Sequence, residues 1–214
     1  MRNSVRVKQL AVVTGVALFT TGVAAVANDE GNLNASLRGR YAFTTKRTCT
    51  SSPVPFTPPF FNVSPAGSTL QTSSESGIIT YHGNGKADQS GRGSQLSFSS
   101  PFIPIAGTNV LTGAATASIV EFTSRVNYTV NPDGTVETAT ESDFTIVFPA
   151  PGSTGTTTGT VGRLQIADGK SMLVSAPAEA LTVETVNVIP PAGSPFTSYR
   201  ICSRSTTQTK LPGN

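Results

Sequence analysis

The stretch that decides the fold is Ser118–Phe148, which reads SIVEFTSRVNYTVNPDGTVETATESDFTIVF. Apolar and polar residues alternate in both halves, as they do in β-strands that are buried on one face only. The NPDG sequence between the halves has Pro at the first central position of a type I turn and Gly at the position that needs a positive φ. The stretch therefore predicts a long β-hairpin in which Asn131 faces Thr135.

The register of this hairpin follows from its turn. If Asn131 faces Thr135, residues whose numbers sum to 266 lie opposite each other. The apolar faces of the two strands then coincide, as one buried side requires, and Arg125 lies across from Glu141 on the solvated face as an ion pair. The buried face is formed by Val126 with Thr140, Phe122 with Phe144, and Val120 with Ile146.

The rest of the chain after residue 27 also has the sequence pattern of β-strands. No segment has the sustained 3.6-residue apolar period of a helix, whereas alternation with a period of two recurs. In the first strand, Leu37, Tyr41 and Phe43 share one face. Asn84-Gly85 and Asp168-Gly169 predict two further hairpin turns. The sequence thus predicts an all-β fold, a single antiparallel β-barrel of about eight strands, with a β-sandwich as the alternative.

The first 27 residues have the composition of a secretory signal peptide. Basic residues precede the apolar run Leu10–Phe19, and Ala25-Val26-Ala27 has the small-x-small pattern that signal peptidase cleaves. We therefore expect cleavage before Asn28 and a secreted or periplasmic protein. The apolar run is too short for a spanning helix, so no transmembrane segment is expected after cleavage.

After the signal peptide (1–27) we expect a flexible N-terminal segment (28–36), the β-barrel domain (37–207) and a C-terminal tail (208–214). The mature chain has 214 minus 27, or 187, residues, which is ordinary for one domain. Three of the 15 Lys and Arg lie in the signal peptide, so 12 basic residues remain against 12 acidic ones. This balance leaves no basic patch and excludes nucleic acid as a main partner.

The two cysteines, Cys49 and Cys202, lie near the ends of the mature chain. In an oxidising compartment they are predicted to form one disulfide. Such a bond joins the first strand to the last and favours a closed barrel over an open sandwich. A redox or metal pair is the alternative, but the spacing matches no such motif. No metal site and no cofactor are predicted.

No group of residues has the pattern of a known catalytic site. His82 is the only histidine, and no Gly-x-Ser-x-Gly sequence accompanies it. Glu121 falls on the polar outer face of its strand. Glu184 is in phase with Val186 and Val188 and could point inward, where desolvation would raise its pKa and make it a general base. Glu184 is therefore the one candidate catalytic residue.

Residues 50–76 are predicted to form a long loop, because their prolines prevent pairing in a central strand. This loop displays Phe56, Phe60 and Phe61, which need an apolar surface to cover. The three rings are expected either to cap the core or to bind a ligand or partner at the barrel mouth. Smaller loops are predicted over residues 101–106, 154–160 and 190–196.

The first and last strands resemble the calycin pattern, in which a Gly-x-aromatic sequence and a late Arg pack together at the closed barrel end. Gly39-Arg40-Tyr41, with Arg200 and Arg204, matches this pattern, with Tyr41 in place of the usual Trp. Together with Gly83-Asn84-Gly85 and residues 128–134, the chain is also similar to exported bacterial barrels of the allene oxide cyclase type. The resemblance implies structural roles for Gly39, Tyr41, Arg200 and Arg204 and carries over no catalytic residue.

Three functions are consistent with these observations. The first is binding of a small apolar molecule or a partner at the barrel mouth. The second is a cofactor-free cyclase or isomerase that uses Glu184 as a buried acid. The third is a structural role in the envelope or matrix. Binding is favoured over catalysis, because the titratable residues show no convergent set.

Overall fold

The computed structural model describes residues 30–56, 68–99, 102–105, 108–111, 115–149, 151–175 and 182–213, which form β-strands and two short 3-10 helices. The strands are β1 (Arg38–Ser52), β2 (Thr69–His82), β3 (Lys86–Ser99), β4 (Phe102–Ile105), β5 (Thr108–Leu111), β6 (Ala115–Val130), β7 (Thr135–Phe148), β8 (Ser153–Ala167), β9 (Met172–Ser175), β10 (Thr182–Ile189) and β11 (Phe196–Lys210). The 3-10 helices are Glu30–Ser36 and Asp168–Lys170. The predicted signal peptide lies outside the described residues.

Nine strands form one antiparallel sheet in the order β1-β2-β3-β6-β7-β8-β10-β11-β9. β11 also pairs with β1, from Tyr41 opposite Lys210 to Ser52 opposite Tyr199, so the sheet closes in a ring. Among the described strands, β4 and β5 pair only with each other. The prediction of an all-β fold with a closed antiparallel barrel of about eight strands is confirmed.

One position in the ring is shared by β9 and β10. β10 pairs with β8 and β11 at one end of the barrel, and β9 pairs with the same two strands at the other end. Between these pairings, side chains link β11 to its neighbours. The backbone N of Thr206 donates to Ser175 Oγ at 2.5 Å, and Arg204 Nη2 donates to the carbonyl of Val161 at 2.7 Å.

The apolar core fills one half of the barrel. Tyr81 packs edge-on against Tyr41 and Tyr128, with ring centroids 5.4 and 5.0 Å apart, and each of the three hydroxyls has a hydrogen-bond acceptor. Leu37 and Phe43 are buried with Tyr41, as the alternation in the first strand predicts. The core comprises Leu37, Tyr41, Phe43, Ile79, Tyr81, Ala87, Val126, Tyr128, Val130, Val136, Leu164 and Leu173.

Regular secondary structure lies outside the expected domain bounds at both ends of the barrel domain. The helix Glu30–Ser36 occupies most of the segment for which we expected flexibility, and Asn34 Oδ1 accepts a hydrogen bond of 2.8 Å from the backbone N of Val130. β11 continues to Lys210, three residues beyond the expected end of the domain at 207. Its last residues pair with the beginning of β1, which is why the strand extends.

The register of the deciding hairpin is confirmed, since β6 and β7 pair at all three predicted apolar positions. Gly134 has φ +79°, and the backbone N of Asn131 donates to the carbonyl of Thr135 at 2.8 Å. The predicted ion pair was wrong in its partner. Arg125 lies opposite Glu141, but its ion pair is with Asp143 at 3.9 Å. Strand twist brings such diagonal neighbours within reach of long side chains.

Three of the predicted loops contain strand. Residues 69–76 belong to β2 and pair with β1, residues 154–160 belong to β8, and residues 101–106 include β4. The loop predictions failed in β2 and β8 because the inward side chains there are polar, so hydropathy does not alternate along the chain. These inward residues are Gln71, Ser73 and Glu75 in β2, and Thr157 and Thr160 in β8. The loop predicted over 190–196 is confirmed up to the start of β11.

Candidate functional site

The other half of the barrel interior is polar and charged. Five charged side chains of the described strands are buried or half-buried there, and we call them the interior charge cluster. Its three arginines against two glutamates leave one net positive charge. The cluster consists of Arg47 on β1, Glu75 on β2, Glu184 on β10, and Arg200 and Arg204 on β11.

Glu184 lies at the centre of the cluster and is fully buried. Its Oε2 lies 3.2 Å from Arg47 Nη1 and 3.2 Å from Arg200 Nη2, and its Oε1 accepts a hydrogen bond of 2.9 Å from Thr160 Oγ1. Arg47 also forms an ion pair with Glu75. Two guanidinium groups from neighbouring strands are therefore held by one carboxylate.

The electrostatics of Glu184 differ from the expectation. Burial raises its pKa, but the charges of Arg47 and Arg200 and the hydrogen bond from Thr160 outweigh burial, so the pKa of Glu184 is lowered. Glu184 does point inward, the orientation that the sequence left open, but the raised pKa expected for that orientation is wrong. A carboxylate that stays ionised and is held by two cations is a weak general base.

Burial also acts on the two arginines that hold Glu184. It lowers the pKa of Arg200 to about 10, because the attraction to Glu184 does not fully offset desolvation and the repulsion from Arg47. For Arg47 the carboxylates of Glu75 and Glu184 outweigh desolvation, and its pKa is raised. Both guanidinium groups therefore stay charged at neutral pH.

The predicted disulfide between Cys49 and Cys202 is confirmed, and it lies beside the cluster. The two cysteines are directly opposite each other on β1 and β11, and Cys202 Sγ is 3.5 Å from Glu184 Oε2. Because the sulfurs are bonded to each other, they offer no thiolate to a metal ion. The buried disulfide indicates a non-cytoplasmic compartment. Among the described residues, no helix has the length and hydropathy to span a membrane.

A cavity of about 100 Å³ lies inside this half of the barrel, between two chemically different walls. β1 and β11 contribute Arg47, Arg200 and Arg204, which we call the cationic wall. β6 and β7 lie across the ring, with two strands between them and β1 on one side and two between them and β11 on the other. They contribute Val120, Phe122 and Phe144, which we call the aromatic wall. The remaining lining residues are Thr45, Glu75, Gln89, Gln95, Ser124, Thr140, Ser142, Thr157 and Thr160.

Glycines on the neighbouring strands make room for the aromatic wall. A Cβ atom at Gly91 would lie 2.9 Å from the ring of Phe122, and one at Gly155 would lie 2.5 Å from the ring of Phe144. Each would also lie within 2.4 Å of a backbone carbonyl oxygen. The two rings therefore pack directly against the backbone of β3 and β8, which have no side chain at these two glycines.

The cationic wall has hydrogen-bond donors without acceptors. The Nε atoms of Arg47 and Arg200 are buried and have no hydrogen-bond partner among the described residues, and the same holds for Ser51 Oγ and Gln71 Oε1. A buried polar atom without a partner costs roughly 1–3 kcal/mol. Arg47 and Arg200 line the cavity, but their Nε atoms are themselves covered by neighbouring protein atoms.

The structure does not bring together the residues of the calycin pattern. Tyr41 lies opposite Lys210, whereas Arg204 lies opposite Arg47 and Arg200 lies towards the other end of the barrel. The cation near Tyr41 is Lys210, whose Nζ lies 6.0 Å from the ring centroid. Gly39, with φ +109°, adjoins Tyr41 at the start of β1. The expected packing of Arg200 and Arg204 against Tyr41 is therefore wrong, because Arg200 bonds to Glu184 and Arg204 bonds to the carbonyl of Val161.

The remaining candidates lie outside the cavity. His82 is exposed and its Nε2 is 2.8 Å from Asp88 Oδ2, and Glu121 is on the outer face, as predicted. Phe56 is buried, and Phe60 and Phe61 lie outside the described residues. None of the described residues among them lines the cavity.

Sequence reasoning missed Arg47, Glu75 and Thr160. Glu75 and Thr160 fall in segments that were predicted to be loops. Arg47 was detectable, because it is in phase with the buried residues of β1, and because pairing Cys49 with Cys202 sets a register in which Arg47 faces Arg204.

Comparison of the chain with protein-family models, with curated proteins and with solved structures found no match. The resemblance to calycins and to allene oxide cyclase barrels stays a prediction. The candidate site therefore rests on the geometry of this chain: a cavity with a cationic wall that carries unsatisfied donors and an aromatic wall on the opposite side.

Proposed function

We propose that this chain is an exported β-barrel protein, secreted or periplasmic, that binds a small molecule inside the barrel between the cationic wall and the aromatic wall. The observation that carries the proposal is a cavity lined by Arg47 and Arg200, two arginines whose buried Nε atoms lack partners among the described residues. Binding sites of this kind combine apolar contact area with a few well-placed polar groups.

The free-energy cost of burying the charges of the interior charge cluster supports a functional role for the cluster. Replacing buried ion pairs by well-packed apolar residues is often neutral or stabilising, by about 1–4 kcal/mol. An apolar interior would therefore hold the barrel together without five buried charges. A structural role alone would need neither the cavity nor the unsatisfied donors beside it.

Export is supported by two observations. The disulfide between Cys49 and Cys202 indicates an oxidising compartment. The first 27 residues have the composition of a signal peptide. Within this proposal the protein acts in the periplasm or outside the cell.

Catalysis is the weaker alternative. A cofactor-free isomerase in this cavity would use Glu184 as its acid or base, but its pKa is lowered and both of its oxygens are already occupied. General acid–base catalysis favours a group whose pKa lies near the operating pH. Glu184 is therefore better suited to hold the two arginines in place.

Native mass spectrometry of the mature protein from its own secreted or periplasmic fraction tests the proposal. We expect a non-covalent adduct above the mass of the oxidised chain. Ser142→Leu, which adds apolar volume to the cavity, should abolish the adduct, whereas Thr123→Leu on the outer face should keep it. A bare mass in the unmodified protein, or an adduct that survives Ser142→Leu, would show that the cavity is not the binding site.

A further inference from the structure

We infer that the bound molecule is a small organic acid, which has one carboxylate for the cationic wall and an apolar body for the aromatic wall. The inference rests on the proposed function of the same cavity and names the chemical class of its ligand. Benzoate and hexanoate are the simplest members of the class.

Charge is the first step. The interior charge cluster carries one net positive charge, because it contains three guanidinium groups and two carboxylates. Arg47 uses Nη1 for Glu184 and Nη2 for Glu75, and Arg200 uses Nη2 for Glu184, which leaves each Nε as a free donor. Guanidinium N–H groups form strong charge-assisted hydrogen bonds with carboxylates. One monoanion would neutralise the net charge of the cluster.

The aromatic wall supplies the second step. Val120, Phe122 and Phe144 offer apolar surface across the cavity from the arginines. An inorganic anion would leave this surface without a partner, and a neutral hydrocarbon would leave the net positive charge of the cluster without a counter-charge. A molecule with an acid group at one end and an apolar body at the other can contact the cationic wall and the aromatic wall at the same time.

Volume limits the size of the molecule. The cavity of about 100 Å³ is well below the roughly 300–1,000 Å³ of pockets that hold drug-sized ligands. It suits a body of one ring or a short chain. Long-chain fatty acids and dicarboxylic acids with a second charge near the aromatic wall are therefore excluded from the class.

Isothermal titration calorimetry of the oxidised mature protein tests the chemistry. Benzoate or hexanoate should bind at least 10-fold more tightly than benzyl alcohol, which keeps the ring without the charge. Each should also bind at least 10-fold more tightly than acetate or inorganic phosphate, which keep a charge without the apolar body.

The outcomes separate this inference from the proposed function. If benzyl alcohol binds as tightly as benzoate, the ligand does not need a carboxylate, and the proposal of small-molecule binding stands. If acetate or phosphate binds as tightly as benzoate, the ligand does not need an apolar body. If the natively purified protein carries an adduct and neither acid binds, the class is wrong and the proposed function stands. If no adduct and no probe binding are found, both fail.

Three variants show where the acid binds. Arg204→Gln removes the net charge of the cluster and should weaken benzoate binding at least 10-fold, and Arg204→Lys, which keeps the charge, should restore most of it. Arg125→Gln makes the same change on the outer face and should leave affinity unchanged. Thermal melting confirms that each variant is folded. Unchanged benzoate affinity in folded Arg204→Gln would overturn the role of the cationic wall.

Discussion

The guanidinium of Arg47 lies 3.2 Å from the carboxylate of Glu184, although 137 residues separate the two along the chain. They meet because ring closure pairs β1 with β11, and β11 pairs with β10. The disulfide crosses the same strand pair. Ring closure, the disulfide and the charge cluster thus stabilise one region of the wall, and each can be perturbed separately.

Glu184→Gln should be strongly destabilising. The variant leaves Arg47 and Arg200 inside the barrel without their shared counter-charge, and breaking a buried ion pair in this way costs about 3–5 kcal/mol. Urea denaturation followed by circular dichroism measures the loss. Glu121→Gln removes an exposed carboxylate 3.9 Å from Arg92 and should change stability by less than about 1 kcal/mol. Equal effects of the two changes would show that the interior cluster does not support the fold.

Removal of the disulfide should also lower stability. The bond between Cys49 and Cys202 spans 153 residues, and closing a loop of that size stabilises a fold by about 4–5 kcal/mol in the chain-entropy model. Cys49→Ala combined with Cys202→Ala should therefore lower the free energy of unfolding by several kcal/mol. The unmodified protein under a reducing agent serves as the control and should show a similar loss. An unchanged urea midpoint in both would contradict the assigned role of the bond in closing the ring.

How well a strand segment was predictable from the sequence depends on whether its inward side chains are apolar or polar. The β6–β7 hairpin was predicted to the residue because its inward side chains, such as Phe122 and Val126, are apolar and its NPDG turn sets the register. In β2, the inward Ser73 and Glu75 are as polar as the outward Thr72 and Ser74, so the strand has no contrast in hydropathy.

The candidate site was predictable only in part, for a related reason. The phase of β10 allowed an inward Glu184 without deciding it, and the two cysteines joined β1 to β11. The arginines that lower the pKa of Glu184 come from other strands. Their distance from the Glu184 carboxylate depends on how the ring closes. Hydropathy patterns along one strand carry no information on such cross-strand neighbours.

Gly91→Ala should disturb the aromatic wall. An added Cβ would lie 2.4 Å from the carbonyl oxygen of Ser76 and 2.9 Å from the ring of Phe122, so backbone or ring must move. Overpacking of this kind costs about 1–3 kcal/mol. Gly213→Ala is the matched control, because nothing lies within 4 Å of the Cβ that would be added there. If thermal melting shows equal stability for the two variants, the close packing at Gly91 is not a constraint.

Acid should unfold the protein through Glu184. Its folded-state pKa is lowered, so the unfolded chain binds this proton at a higher pH than the folded chain does. The stability that the ionised carboxylate contributes is thus fully present above the ordinary glutamate pKa, about 4.3, and is lost as the pH falls through the lowered value in the folded state. Urea midpoints measured between pH 7 and pH 3 should fall over the lower part of this range. In Glu184→Gln, if it folds, the fall should be smaller, whereas Glu121→Gln should follow the unmodified protein. If folded Glu184→Gln lost stability in acid as steeply as the unmodified protein, other carboxylates would have to account for the pH dependence.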